Sequence, residues 1–249
     1  MHFEALAALY HRARPPYPAA LWERLAELGV LRAGARAVDL GAGTGQVTGP
    51  LLAAGLDVVA VEPGPTLAAE LRARCPTATV VVARAEEADL AEASFDIAVA
   101  ATSIHWMDLE VLLPRLHRAL VPGGRLLVWR NVFGDPHATV TPFRRRVHEI
   151  VGRRAASPRV GNPEDADATA ARLSGPGLFT VEETSRFRWS IELDEKAVRA
   201  LFRTFSDWSQ AEAEEAAAAV RALGGAVVEH YRSWLIVAHR ADGDGDRSG

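Results

Sequence analysis

Features that define several protein classes are scarce in this chain of 249 residues. It contains one cysteine, Cys75, which excludes an intrachain disulfide framework. No apolar run reaches the roughly 18 residues that a membrane span requires. The 28 lysines and arginines are outnumbered by 32 acids, and the net charge of −4 offers no overall attraction to nucleic acid. We therefore expect a protein that binds neither a membrane nor a nucleic acid.

Signals for export and for metal binding are also missing. The first residues, MHFE, lack the basic region and the apolar core of a secretory signal, so we expect a cytoplasmic location. The eight histidines show no H-x-x-x-H spacing with a nearby acid, so we expect no metal. The length suits one α/β domain over residues 1–240.

The segment 38–46, VDLGAGTGQ, reads as an apolar strand followed by a turn with three alternating glycines. Glycine is needed where a ligand presses against main-chain amides or where the turn requires positive φ. Nucleotide-containing ligands bind such turns at the carboxyl edge of a parallel sheet. The dinucleotide fingerprint G-x-G-x-x-G would need its third glycine at position 46, where this chain has Gln46. The turn therefore predicts a nucleoside ligand other than a dinucleotide.

An acid ends the next predicted strand. The apolar run Asp57–Val61 is followed by Glu62, about one helix plus one strand after the glycine turn. A carboxylate there can accept hydrogen bonds from both ribose hydroxyls of a nucleoside. The alternative is a cap for the helix that begins near Pro65.

Strand and helix patterns alternate through the first half of the chain, which predicts a parallel sheet with helices on both faces. The run Thr79–Ala83 is β-branched or small, so we expect a strand buried on both faces. The sequence Val121–Gly124, VPGG, predicts a tight turn before a strand over Arg125–Trp129.

The alternation of strand and helix patterns ends after residue 130. The sequence predicts a helix around Pro142–Arg154 and a mobile loop over Ala155–Pro176. Helices and a last strand over Val227–Ala238 follow, and the polar tail Ala241–Gly249 is expected to be disordered. We expect residues 1–130 to bind a cofactor, residues 131–225 to cover the substrate, and residues 226–240 to add the last strand.

The glycine turn resembles the first motif of class I S-adenosylmethionine-dependent methyltransferases, (D/E)-x-G-x-G-x-G, through Asp39, Gly41, Gly43 and Gly45. The segment from Tyr10 to Pro18 and the His-Trp pair at 105–106 are similar to the trans-aconitate-methyltransferase-like branch. The resemblance implies a doubly wound, seven-stranded, mostly parallel sheet with an antiparallel edge strand. It also implies methyl transfer from S-adenosylmethionine to an oxygen, nitrogen or carbon nucleophile of a small molecule, by direct in-line displacement.

The resemblance predicts which residues contact the methionine end of the cofactor and which contact the adenine end. Tyr10 and Arg14 would contact the methionine carboxylate, Asp39 would serve the ammonium group, and the amide of Ala85 would face the adenine. Arg84 stands where the family often has Asp or Ser, which leaves the partner of the adenine amine open between Arg84 and Glu86. The full set of expected cofactor contacts is Tyr10, Arg14, Asp39, Gly41, Gly43, Gly45, Glu62, Pro63, Arg84, Ala85, Glu86, Ala101 and Thr102.

The residues that contact the methyl acceptor are harder to identify from the sequence. His105 is the sharpest candidate for a general base, because it titrates in the right range, but the chemistry favours the alternative of a hydrogen-bonded structural residue that holds the loop, since methyl transfer from a sulfonium needs alignment more than a base. An aromatic wall would exclude water from the reacting pair, and its candidates are Trp106, Trp129, Phe133, Phe205 and Trp208. Arg144–Arg146 with Arg153 and Arg154 could receive an anionic substrate or form a solvated helix face.

Two other functions stay open at this point. A protein could bind S-adenosylmethionine without transferring its methyl group, as a cyclase-like or regulatory protein would. A nicotinamide-dependent oxidoreductase is the weaker alternative, because position 46 is not glycine. The expected assembly is a monomer or a homodimer.

Overall fold

The computed structural model describes residues 11–154 and 164–241. The strands in chain order are β1 (Arg36–Leu40), β2 (Asp57–Val61), β3 (Thr79–Val81), β4 (Phe95–Ala101), β5 (Leu120–Phe133), β6 (Phe179–Asp194) and β7 (Ala226–Arg240). The helices are α1 (Ala19–Glu27), α2 (Thr48–Ala53), α3 (Pro65–Arg74), α4 (Leu109–Ala119), α5 (Pro142–Gly152), α6 (Ala166–Ser174), α7 (Glu195–Arg203) and α8 (Gln210–Ala222). A 3₁₀ helix, Ile104–Trp106, follows β4. In the part of the chain that the structure describes, no helix is long and apolar enough to cross a bilayer.

The strands form one seven-stranded sheet in the order β3-β2-β1-β4-β5-β7-β6, mostly parallel with antiparallel strands at one edge. This confirms the expected doubly wound class. The chain runs outward from β1 through β2 to β3 and then returns to the other side of β1 with β4 and β5. β1 and β4 therefore flank a topological switch point, where open α/β sheets bind ligands beyond the carboxyl ends of the strands. The last strand, β7, lies between β5 and β6, and the edges of the sheet are β3 and β6.

The expectation of a β3 buried on both faces is wrong. Thr79 is exposed, Val80 and Val81 are half-buried, and Val82 is 45% exposed. The physical reason is that β3 is an edge strand that pairs with β2 alone. A run of β-branched residues fits an edge strand as well as a central one, because composition does not reveal how many neighbours a strand has.

The turn predicted at Val121–Gly124 is a bulge inside β5, which begins at Leu120 and not at Arg125. Phe95 pairs with Leu120, but Ile97 pairs with Arg125, so residues 121–124 bulge out opposite the single residue Asp96. Gly123 has φ 73°, which proline and side chains with a Cβ tolerate poorly.

The chain forms two compact units that alternate along the sequence. Of the described residues, the first unit contains 11–18, 131–154 and 187–233, and the second contains 19–130, 164–186 and 234–241.

The second unit holds β1 to β4, helices α1 to α4, and α6. Its central strands β1 and β4 are mostly apolar and mostly buried, as expected for parallel strands covered on both faces. The helix α6 corrects the prediction of a loop over 155–176. Asp165 caps it by accepting hydrogen bonds from the amides of Asp167 and Ala168, and the alanine-rich sequence that follows favours a helix. Residues 155–163 lie outside the described residues, as do 242–249 of the expected tail.

The first unit is built around α5, α7 and α8. Their apolar faces form a core that includes Phe143, Val198, Phe202 and Val220. Ser209 and Glu212 form a reciprocal capping box at the start of α8, which fixes where that helix begins. On the outer surface, Arg153 pairs with Glu215 and Arg199 with Glu214, and such exposed pairs contribute little stability each.

Candidate cofactor and methyl-acceptor site

The three glycines of the glycine turn, residues 41–45, have positive φ values of 66°, 58° and 91° but different surroundings. A Cβ on Gly41 would lie 2.7 Å from the Cβ of Ser103, and one on Gly45 would lie 2.7 Å from Leu71 Cδ1 and 2.9 Å from Cys75 Sγ. A Cβ on Gly43 would meet no atom of the described residues within 4 Å. Gly41 and Gly45 are therefore required by packing, whereas Gly43 borders open space that a ligand can enter.

Glu62 joins the glycine turn to the end of β2. One carboxylate oxygen, Oε2, accepts a hydrogen bond from the Gly43 amide at 2.8 Å, and Oε1 accepts one from the Gly64 amide at 2.8 Å. Only 5% of Glu62 is exposed. The two amides hold this carboxylate beside the open space at Gly43.

Asp39 lies under the same turn with 1% of its surface exposed. Burial raises the pKa of its carboxyl group to about 7, although the hydrogen bond from Thr48 opposes the rise. Thr48 Oγ1 donates that bond to Oδ2 at 2.7 Å. An acid with such a pKa readily becomes an anion when a cationic group binds next to it.

The predicted adenine contacts form one local arrangement after β3. Ala85 is buried, and the Arg84 guanidinium pairs with Oε1 of Glu86 at 3.1 Å. The same Oε1 accepts a hydrogen bond from the Asp108 amide at 2.8 Å. Burial alone would raise the pKa of Glu86, but the Asp108 amide and Arg84 outweigh it and lower the pKa. Pro63, which precedes this region in the chain, is exposed.

The loop after β4 carries backbone strain. Thr102 has φ 58°, which is rare for a β-branched residue and costs about 1–3 kcal/mol. Its amide donates to the Trp129 carbonyl at 2.8 Å, and the next residue, Ser103, donates from Oγ to the Leu40 carbonyl at 2.7 Å. Ala101 and Thr102 are both half-buried. Such strain is typical of sites where a loop must present a particular surface.

His105 meets an arginine that the sequence reading did not select. Arg130 Nη1 lies 3.0 Å from Nδ1 of His105 and 3.4 Å from its Nε2. Burial and then the charge of Arg130 lower the pKa of His105 to about 4. The Trp106 ring, 60% exposed, lies 4.7 Å from the His105 ring.

Comparison with known proteins agrees with this geometry. A family model described as a methyltransferase domain matches residues 38–128. An uncharacterized methyltransferase of Mycobacterium tuberculosis is 35% identical over 199 residues, which are 80% of this chain and 74% of that protein. The chain is a class I S-adenosylmethionine-dependent methyltransferase. The trans-aconitate-methyltransferase-like branch stays a prediction.

Solved structures are similar to the whole methyltransferase. A proposed type II methyltransferase from Anaeromyxobacter dehalogenans has a TM-score of 0.62 and 28% identity, covering 91% of this chain and 97% of its own. An N-methyltransferase of Haemonchus contortus, solved with phosphomonomethylethanolamine and S-adenosylhomocysteine, shares the fold with a TM-score of 0.56 and 18% identity. It covers 96% of this chain and 58% of its own.

The residues of the methyltransferase fit S-adenosylmethionine. The open space beside Gly43 suits a ligand that presses against the main chain, and the Glu62 carboxylate beside it suits ribose hydroxyls. The buried Asp39 suits the ammonium group, because a cation favours the charged form of a carboxyl whose pKa burial has raised. Within residues 11–154 and 164–241, no three histidines, cysteines or acids gather at a distance that could hold a metal ion.

Trp129 corrects one prediction for the acceptor pocket. Its ring has no exposed surface and packs edge-on against Trp22 at 5.8 Å between centroids. A fully buried ring on a central strand is part of the core, so it does not line a pocket.

Three of the other aromatic candidates, Phe133, Phe205 and Trp208, belong to the first unit. Phe133 lies 5.5 Å from Phe205, and both contact Phe202, as does Trp208 at 4.2 Å. We call the seven linked rings the aromatic cluster: Phe133, Phe143, Trp189, Phe202, Phe205, Trp208 and Tyr231. Contact of Phe133, Phe205 and Trp208 with an acceptor stays a prediction.

Arg14 is also in the first unit. Its Nη2 donates to the Thr204 carbonyl at 2.9 Å, and its guanidinium lies 4.7 Å from the centre of the Phe205 ring. The proposed contact of Arg14 with the methionine carboxylate stays a prediction. Tyr10 lies outside the described residues.

Arg144 corresponds to neither predicted alternative. Its Nη2 lies 2.8 Å from Oε2 of Glu229. The Arg144 side chain is only 14% exposed and that of Glu229 only 1%, so the arginine is neither on a solvated helix face nor open to solvent. Its guanidinium lies 4.1 Å from the centre of the Phe133 ring. Gly134, with φ 90°, leaves the room that this guanidinium fills.

Sequence reasoning missed Thr48, Ser103 and Arg130. Arg130 lies inside β5 and directly follows the apolar run Leu126–Trp129, as Glu62 follows the apolar run that ends β2. The same signal, a charged residue directly after an apolar run, could have found it. Ser103 and Thr48 carry no such signal, because a hydroxyl gains its role only from the carbonyl or carboxylate that the fold brings to it.

Proposed function

We propose that this methyltransferase transfers a methyl group to a small-molecule nucleophile by direct in-line displacement. The observation that carries the proposal is the Glu62 carboxylate held by two amides beside the open space at Gly43. Bound S-adenosylmethionine supplies an electrophilic methyl group on a positively charged sulfur. In such a displacement the bond to the nucleophile would form as the carbon–sulfur bond breaks, so the residues of the chain would need only to hold the nucleophile in line with that bond.

The chain's own residues would align the cofactor. Glu62 would accept hydrogen bonds from the ribose, Asp39 would face the ammonium group, and the buried Ala85 would contact the adenine. Alignment matters more than acid–base catalysis here, because a sulfonium is already a reactive methyl donor. The attacking atom can be oxygen, nitrogen or carbon.

We also propose the setting in which the enzyme works. Residues 1–240 would act as one methyltransferase domain, as a monomer or a homodimer in the cytoplasm. The net charge of −4 argues against a nucleic-acid acceptor, and the one cysteine, Cys75, is buried and free, as is usual in a reducing compartment.

Calorimetry tests the cofactor half of the proposal. We expect heat of binding with S-adenosylmethionine and none with NAD. Glu62→Ala should weaken binding of S-adenosylmethionine by about 1–3 kcal/mol, because two hydrogen-bonded amides and the ribose lose their acceptor. The matched control is Glu110→Ala on the exposed start of α4. Binding of NAD, or wild-type affinity in Glu62→Ala, would contradict the assignment.

Turnover tests the transfer half. A panel of small carboxylic acids, amines, phenols and carbon acids such as 1,3-dicarbonyl compounds is incubated with S-adenosylmethionine, and S-adenosylhomocysteine is measured. Release of S-adenosylhomocysteine that depends on one acceptor supports methyl transfer. Tight cofactor binding without release by any acceptor would favour a binding protein that performs no transfer.

A further inference from the structure

Three polar side chains lie buried on one face of β7. Glu229, Tyr231 and Ser233 are two residues apart, so they point to the same side of the strand, and they are 1%, 3% and 1% exposed. Buried polar groups in proteins are almost always hydrogen-bonded, because an unpaired group loses its bonds to water without a replacement. Each of the three side chains should therefore have a partner.

The two outer residues of this row are paired. Arg144 Nε donates to Oε1 of Glu229 at 3.2 Å, and Arg144 Nη2 lies 2.8 Å from Oε2. Ser233 Oγ accepts a hydrogen bond from Trp189 Nε1 at 2.8 Å and donates one to Asn131 Oδ1 at 2.7 Å. Both ends of the row are thus satisfied within the protein.

Tyr231, in the middle of the row, is the exception. Its hydroxyl group is buried and has no hydrogen-bond partner within the part of the chain that the structure describes. The ring stacks on Trp189 of β6 at 4.7 Å between centroids and meets Phe133 of β5 edge-on at 5.4 Å. β6 and β5 are the strands on either side of β7. Since the hydroxyl lies on the axis of a ring packed from both sides, it is held at a fixed position.

The surroundings keep this hydroxyl protonated. Burial raises the pKa of Tyr231, and the charges that act on the hydroxyl are those of Arg14, Glu229 and Arg144. The Glu229 carboxylate is already engaged by Arg144. A fixed O–H donor that feels the charge of a guanidinium suits an oxygen that accepts a hydrogen bond, such as a carboxylate or carbonyl oxygen.

Tyr231 lies among the aromatic candidates for the acceptor site. Phe133 contacts both Tyr231 and Phe205, and the Arg14 guanidinium lies 4.7 Å from the centre of the Phe205 ring. All four residues belong to the first unit. Apolar rings around a small number of fixed polar groups are the usual lining of sites for small molecules.

We propose that the Tyr231 hydroxyl donates a hydrogen bond to a carboxylate or carbonyl oxygen of the methyl acceptor, and so selects acceptors that carry such an oxygen. The inference rests on the proposed function and adds a residue that the motifs do not include. A phenylalanine would keep the ring packing without the cost of an unpaired buried hydroxyl, so the hydroxyl serves a group that is not part of the folded chain. No proton leaves Tyr231, because its role is to orient the acceptor.

Urea unfolding tests whether the hydroxyl is unpaired. Tyr231→Phe should have an unfolding midpoint equal to or above that of the wild type, because no hydrogen bond within the protein is lost. Ser233→Ala is the matched control. It also removes a buried hydroxyl from this face of β7, but that hydroxyl has two partners, so the midpoint should fall. An equal fall in Tyr231→Phe would show that the hydroxyl already has a partner in the folded protein, such as a trapped water, and would overturn the proposal.

Carbon NMR tests binding without turnover. The chain has three tyrosines, and in protein labelled with ring-¹³C-tyrosine the Tyr231 signal is the one that Tyr231→Phe lacks. The protein is saturated with S-adenosylhomocysteine, which has no methyl group to transfer, and is titrated with benzoate, acetylacetone or benzylamine. Benzoate or acetylacetone should shift the Tyr231 signal saturably, whereas benzylamine, which has no oxygen, should not. No shift with either oxygen compound, or an equal shift with benzylamine, would contradict the proposal.

Turnover shows the effect on the reaction. With the panel member that releases most S-adenosylhomocysteine, Tyr231→Phe should lower kcat/KM about tenfold or more, whereas calorimetry should find the affinity for S-adenosylmethionine within about twofold of the wild type. A wild-type kcat/KM in Tyr231→Phe would overturn the proposal. If the wild type releases no S-adenosylhomocysteine with any panel member, the proposed function fails, whereas the tyrosine titration still decides whether an oxygen-bearing molecule binds at Tyr231.

Discussion

The glycine turn and the aromatic cluster are built on opposite principles. The turn is made of main-chain amides and two buried carboxylates, Asp39 and Glu62, and its parts lie within 24 consecutive residues, 39–62. The cluster is made of rings drawn from positions 133 to 231 and has a buried ion pair, Arg144 with Glu229, against one of those rings.

The difference explains why the sequence of the glycine turn indicates its ligand, whereas the sequence of the aromatic cluster does not. A turn that holds a ligand through its backbone needs glycines at fixed spacing, and that requirement is visible in the sequence. A cluster that is held together by side chains accepts many arrangements of the same residues, so its sequence carries little information about a ligand. Five variants, each compared with the wild type or a control, test the two descriptions.

The largest effect is expected from Arg144→Met in the first unit. Removal of the guanidinium leaves Glu229 as a buried carboxylate without its cation, which should cost about 3–5 kcal/mol of unfolding free energy in urea titrations. Arg146→Met on the exposed face of the same helix is the control and should cost less than about 1 kcal/mol.

A second comparison shows whether the charge matters or only the packing. The double variant Arg144→Met with Glu229→Met replaces both charges by apolar groups and should recover much of the loss. Equal stability of Arg144→Met and Arg146→Met would mean that the ion pair does not hold this unit together.

Gly41→Ala tests the packing of the glycine turn. The new methyl group would lie 2.7 Å from the Cβ of Ser103, which cannot move without its backbone, and φ is 66°. We expect a loss of about 2–4 kcal/mol in urea unfolding. Gly34→Ala is the control, because it has φ 81° but open surroundings, and it should lose only about 1 kcal/mol. Equal losses would show that conformation alone, and not the contact with Ser103, requires glycine.

Asp39→Asn tests the charge under the turn. The pKa of Asp39 is raised to about 7 in the folded protein, whereas an unfolded aspartate ionises near 4. The folded state therefore keeps a proton that the unfolded state has lost, and the stability this gives at acidic pH disappears as the pH rises through 7. Between pH 6 and 8 the wild type should lose about 1–2 kcal/mol more than Asp39→Asn. A parallel pH dependence of the two proteins in urea titrations would contradict this pKa.

Sequence reasoning succeeded where local patterns decide the structure. The order of strands and helices through residue 130, the glycine turn and Glu62 after β2 were all predicted from short segments. The family resemblance supplied the cofactor. Each of these features depends on residues that are neighbours in the chain or on a single strand–helix repeat.

Sequence reasoning failed where the structure depends on contacts between residues that are far apart in the chain. The strand Thr79–Val81 is an edge strand because, among the described residues, β2 alone pairs with it, and its composition does not show that. Trp129 is in the core because Trp22, more than a hundred residues earlier, covers it. Arg144 is buried because Glu229 lies opposite, and Arg130 contacts His105, 25 residues earlier.

The helix Ala166–Ser174 is a different failure, since the capping aspartate and the alanines were visible in the sequence. Because the strand–helix alternation ends before this segment, a loop was predicted. Helix propensity and the capping residue both indicated a helix.

The central claim is that the open space at Gly43 belongs to S-adenosylmethionine. Calorimetric titration of Gly43→Ala with S-adenosylmethionine tests it most directly, with Gly34→Ala as the control for an alanine at positive φ. A methyl group at residue 43 would have no atom of the described residues within 4 Å. The free energy of unfolding should therefore fall by only about 1 kcal/mol. We predict that Gly43→Ala folds like Gly34→Ala but binds S-adenosylmethionine at least tenfold more weakly. Wild-type affinity in a folded Gly43→Ala protein would contradict the account.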